Sequence, residues 1–101
     1  MFDKERYITS HANGVLPMEL QILLWKCIDE WRRKIELDYL QVFELSISIR
    51  NGKEVQVIKH YQEEPKYQEE IEIMDYEQLI VDKVYVIDDG EYSTMLMASD
   101  Y

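Results

Sequence analysis

The apolar residues of this chain change their period once, near residue 36. Upstream of it, Leu16, Leu20, Leu23, Leu24, Cys27, Ile28, Trp31 and Ile35 recur at steps of three and four. At 100° per residue they fall in one broad stripe, so the spacing predicts an amphipathic helix over about 17–34 whose stripe faces a core. Pro17 suits the first turn, Glu19 the positive end of the helix dipole, and Arg32, Arg33 and Lys34 the negative end. Downstream the period falls to two. Phe43, Leu45, Ile47 and Ile49 alternate with Glu44, Ser46, Ser48 and Arg50, the pattern of a half-buried antiparallel strand.

The next run, 53–62, pairs back on that strand. Val55 and Val57 share the odd parity of Leu45 and Ile47, so matching apolar to apolar asks for a three-residue loop, Arg50-Asn51-Gly52, with Gly52 left-handed and Ile47 set against Val55. A two-residue Asn51-Gly52 turn would set Ser48 against Val55, mixing core with solvent, so the bulged hairpin is expected. Pro65 cannot donate to a ladder and ends this strand after Glu63 and Glu64. Further strands are expected at about 6–9, 67–74, 83–88 and 92–99, with a loop through His11, Asn13 and Gly14 and a turn at Asp88, Asp89, Gly90 and Glu91. One long helix and five or six strands predict an α+β two-layer domain, the helix packed on one face of a mainly antiparallel sheet, as a single domain over 1–101.

The helix has a second, outward-facing line. Met18, Ile22 and Trp25 follow i, i+4, i+7 and centre about 160° from the core stripe. An aligned methionine, isoleucine and tryptophan make a patch of the kind found in interfaces. Three coverings are open: the domain's own strands or termini, a second copy in a homodimer, or a foreign partner.

Charge adds a second asymmetry. The 101 residues carry 11 Lys and Arg against 21 Asp and Glu, a net charge of −10. Residues 1–59 balance, nine basic against nine acidic, whereas residues 60–101 hold two basic residues, Lys66 and Lys83, against twelve acidic ones. Direct nucleic-acid binding is therefore not expected. The acidic half reads either as a solubilising surface or as one that steers a basic protein partner; Glu63, Glu64, Glu69, Glu70, Glu72, Asp75 and Glu77 are its candidate binding residues. In the strand near residue 70, Ile71 and Ile73 should face inward and Glu70 and Glu72 outward. Alternate strand residues lie roughly 6.6 Å apart, close to the spacing of successive phosphates along one nucleic-acid strand.

Catalytic chemistry finds little foothold, and no catalytic, metal or cofactor residue is assigned. Cys27 sits in the core stripe and reads as a small buried hydrophobe. His11 falls in a polar loop and His60 near a strand end, each read as a surface or partly buried side chain, with no pattern that pairs either with a nucleophile. The Asp88–Glu91 cluster lacks the spaced ligands of a calcium loop and reads as a turn, although a small carboxylate-based metal enzyme or regulator stays as a distant rival. One cysteine, no apolar run of transmembrane length and no secretory leader fit a cytoplasmic protein without a membrane anchor.

Taken in order, the segments MFDKERYIT, PMELQILLWKCIDE, DYLQVFEL, QEEPKY and VYVIDDGEYSTMLMASDY resemble the family called domain of unknown function 960, found in low-GC Gram-positive bacteria and their mobile elements. The resemblance runs from the first residues to Tyr101. The family label itself is silent on activity, and no functional residue is carried over from it. Small acidic proteins of mobile elements often disable host defence nucleases, so the resemblance implies a non-enzymatic inhibitor of the type II-A CRISPR effector nuclease. Its acidic surface would bind the basic channel that holds guide RNA and target DNA. The alternative is a housekeeping interaction module, homodimeric or with another cellular partner, that uses the Trp25 face.

Overall fold

The apolar stripe does form a helix, α2 (Met18–Arg32), which buries Leu20, Leu24, Cys27, Ile28 and Trp31. The computed structural model describes residues 1–101. Ahead of α2 stand β1 (Glu5–Ile8) and a short helix, α1 (Ser10–Val15). After it come β2 (Leu40–Arg50), β3 (Lys53–Gln62), β4 (Tyr67–Ile73), β5 (Asp82–Asp88) and β6 (Tyr92–Met97), closed by a 3-10 turn over Ala98–Asp100.

The six strands form one sheet in the order β1-β6-β5-β2-β3-β4. The α+β class holds, but the sheet is mixed, because β1 runs parallel to β6 while the other neighbours are antiparallel. A second helix also stands where a loop was expected around His11, Asn13 and Gly14. Thr9 caps it, its hydroxyl accepting the Ala12 N–H at 3.2 Å, a contact that makes a six-residue helix viable despite Asn13 and Gly14. No helix is long and apolar enough to cross a membrane.

The β2–β3 hairpin is the main correction. Arg50 pairs with Lys53 and Ser48 with Val55, so the turn has two residues. Asn51 (φ 54°) and Gly52 (φ 78°) are both left-handed, as a type I′ turn requires. Apolar parity misleads here because the positions of β3 that share a face with Leu45 are Gln56, Ile58, His60 and Gln62. All four are buried, three of them polar. Val55 and Val57 lie on the opposite face. Arg50 reaches from β2 across β3 to pair with Glu72 on β4 at 2.5 Å, and so crosses that face where Val55 is buried. Ile47 and Ile49 lie toward the hairpin tip and stay exposed, contrary to the core role their alternation suggested.

Buried polar groups tie the helix-side face together. Gln56 holds the backbone of Ile80 at both ends: its amide donates to the Ile80 carbonyl at 2.9 Å and its oxygen accepts the Ile80 N–H at 2.8 Å. The segment between β4 and β5 is thereby fixed as it crosses β3 and β2. His60 is stacked between Trp31 and Phe43, with ring centroids 3.5 and 4.2 Å away. Its Nε2 lies 2.7 Å from Gln41 Oε1, and Gln41 continues to Gln62, which donates to the Glu36 and Pro65 carbonyls.

Candidate interaction surface

Met18 and Ile22 project outward as their spacing predicts, 63% and 60% exposed. Trp25, at the far end of the line, is half-buried against the core and roofed by the Arg6 guanidinium, 4.8 Å above its ring. Only the first two residues of the expected anchor are therefore open, and a cation finishes the ridge.

The acidic residues do not gather on one face. Glu69 points to the helix side, where its carboxylate accepts from the Trp31 indole N–H and from Lys34 at 2.8 Å. Lys34 first and Trp31 second hold its carboxyl below the usual range. It is a structural strut and not a free surface charge. Glu70 and Glu72 share the opposite face, as expected. However, Lys59 stands opposite Glu70 in register and Arg50 pairs with Glu72, so the phosphate-like row is interrupted by cations. Glu63 and Glu64 lie in the β3–β4 turn.

Asp75 and Glu77 end up elsewhere. The segment after β4 passes the start of α2, and Pro17, Glu19, Asp75, Tyr76, Glu77 and Gln78 line a cleft of about 380 Å³. Three carboxylates and no cation face it. Burial, and then Glu19, push the Tyr76 hydroxyl up from its ordinary value. Gln78 also lines a neighbouring hollow with Val15 and Met18, which makes the acidic cleft continuous with the apolar end of the α2 ridge. Glu19, Tyr76 and Gln78 were not among the expected site residues. Their approach spans more than fifty residues of sequence, and no local pattern announces it.

Cys27 and His60 are enclosed, and His11, exposed on α1, holds the Asp100 carboxylate through Nδ1 at 2.5 Å. Burial pushes the Cys27 thiol up to about 11, and burial drives His60 down to about 3. Each is therefore neutral near pH 7, and His60 is walled in by two rings. The Asp88 carboxylate accepts the Phe2 N–H at 2.5 Å and the Gly90 N–H at 2.7 Å, while Asp89 accepts from Glu91 and Tyr92. These bonds make the cluster a capped turn.

A solved structure titled as a protein of unknown function from Enterococcus faecalis has the same fold. Its TM-score is 0.79 at 25% identity, over 98% of this chain and 92% of that one. No curated protein matches the chain. The family model described as staphylococcal protein of unknown function (DUF960) matches residues 5–100, and the chain belongs to that family.

Proposed function

We propose that this protein is a non-catalytic interaction module that docks on a basic protein partner through the N-terminal end of α2. The observation that carries the reading is the continuity of exposed Met18 and Ile22 with a cleft faced by Glu19, Asp75 and Glu77 and by no cation. Charge of one sign accelerates encounter with a basic surface, and an apolar anchor beside it supplies the desolvated contact that steering lacks. Cys27 and His60 are buried, and the exposed His11 is paired with Asp100, which favours binding over catalysis.

The specific form of the proposal is an inhibitor of a type II-A CRISPR effector nuclease in the cytoplasm, supported by the acidic charge and the mobile-element occurrence of the resembling family. A plasmid-cleavage assay tests it, with the protein added before or after guide RNA. Inhibition is expected to be lost in Ile22→Asp at any salt concentration. In the triple variant Glu19→Lys, Asp75→Lys, Glu77→Lys it should weaken mainly at low salt. Full cleavage with several such nucleases would overturn the nuclease reading.

A second reading rests on the ends of the same ridge. It runs from carboxylates at Glu19 to the guanidinium of Arg6 above Trp25, so two copies laid antiparallel would match acid to base in an isologous pair. Sedimentation at two salt concentrations separates the readings: a dimer that dissociates in Ile22→Asp and in high salt supports self-association, and a monomer at all concentrations dismisses it.

A further inference from the structure

On a chain of net charge −10, four of the 11 basic residues line a single hollow. Lys4, Arg6, Arg32 and Arg33 face an open cleft of about 590 Å³ where the start of β1 meets the last turn of α2, with Phe2, Asp3 and Asp29 completing its walls. Cations in the last turn of a helix complement its dipole, which accounts for Arg32 and Arg33. It does not account for Lys4, which arrives from a different element.

The donors left over indicate what the cleft takes. Arg6 is spent on Asp29 and on the Phe2 carbonyl, which its second guanidinium nitrogen reaches at 2.9 Å. Arg32 gives Asp29 one N–H at 3.2 Å and keeps the rest of its fork free. Lys4 donates once, to the Gly90 carbonyl at 2.6 Å, leaving two of its three N–H groups. The Arg33 guanidinium has no hydrogen bond or ion pair within the chain. Asp29 is held below the usual carboxylate range by Arg6 first and Arg32 after it, so its charge is already answered.

We propose that this cleft binds a phosphate dianion, free or as the head of a small polar monoester, with Arg33 and the open edge of Arg32 on one side and Lys4 on the other. A carboxylate would be satisfied by one guanidinium fork. Donors converging from two elements suit an acceptor with three oxygens out of one plane. A long polyanion is disfavoured by the acidic remainder of the molecule, whereas a small dianion fits within a cleft that all four cations line and need not meet that remainder. The volume falls in the range of small-molecule sites, roughly 300–1,000 Å³. Phe2 is the one apolar residue lining it, which points to a hydrophilic organic part such as a sugar.

Titration of the full chain, followed by amide NMR at constant ionic strength, tests the proposal with inorganic phosphate, ribose 5-phosphate and chloride as separate probes. Saturable shifts confined to residues 2–6 and 29–33 are expected with the two phosphates and none with chloride. Arg33→Glu should weaken binding tenfold or more, and Arg33→Gln by less. Because Arg33 is exposed and unpaired, an unchanged spectrum elsewhere certifies the fold of each variant. Tighter binding of ribose 5-phosphate identifies an ester ligand, and equal binding identifies free phosphate. Non-saturating shifts, shifts spread over all cationic residues, or unaltered binding by Arg33→Glu would overturn the site. None of these outcomes depends on the nuclease reading, which is tested at the other end of α2.

Discussion

His60 shows how much one buried side chain controls in this protein. It is 1% exposed, lies between two aromatic rings, and leaves Nδ1 without a hydrogen-bond partner, so the fold accepts only its neutral form. Burial pushes its folded-state pKa down to about 3, below the ordinary value of 6.5 that holds in the unfolded chain. Above pH 6.5 the group is neutral in both states and costs nothing. As pH falls from there toward 3, the unfolded chain takes up a proton that the folded chain refuses, and stability is lost. Between pH 6.5 and 5 this amounts to about 2 kcal/mol, at roughly 1.4 kcal/mol per unit. Urea denaturation at the two pH values should show that loss, and His60→Phe should flatten it; an equally steep profile in the variant would assign it elsewhere. Glu69→Gln should lower the melting temperature by weakening the contacts to Lys34 and Trp31, whereas Glu70→Gln, which gives up only an exposed cross-strand charge opposite Lys59, should leave it nearly unchanged. This contrast separates a strut from a surface charge that sequence alone places in one acidic run. The sequence holds no local sign of either role, because both depend on what α2 brings over the sheet.

At the level of elements, the period of a segment was readable and its facing was not. The α2 stripe is legible because its apolar residues recur at steps of three and four, with Gln21 the one polar residue buried beside them, and the six strand segments are legible from alternation and turn residues. Parity failed in β3, where Gln56, His60 and Gln62 occupy core positions and form hydrogen bonds there, so hydrophobicity points to the wrong side. The turn chemistry of Asn51-Gly52 was the better guide to register. Gly52→Ala should cost about 1–2 kcal/mol, since a Cβ is disfavoured in a left-handed residue, and chemical denaturation measures it. Gln56→Leu should cost about 2–4 kcal/mol, because it strands both backbone groups of Ile80 within the crossing segment. Hydrogen exchange at Ile80 should accelerate in that variant. If it does not, the segment is held by the packing of Tyr76 and Ile80 instead.

Over the whole molecule, charge is sorted along α2 more than between two halves of the sequence. Counting residues found the acidic excess after residue 59, but the anions separate into a helix-side strut, a cation-studded sheet face and two ends of the fold. The cleft with Glu19, Asp75 and Glu77 lies at one end of the helix and that with Lys4, Arg32 and Arg33 at the other. Met18 and Ile22 were legible as outward residues from their angle alone. Which carboxylates flank them was not, because that depends on the path between β4 and β5. The parallel pairing of Glu5–Ile8 with Tyr92–Met95 has a further consequence for how the chain is made. During synthesis β1 can find no partner until residue 95 has left the ribosome, and Phe2, fully buried in the core, waits for Asp88 to accept its N–H. Until then the protein has an incomplete core and the unpaired edge of an unfinished sheet, so translation exposes it to association with other chains up to its last strand.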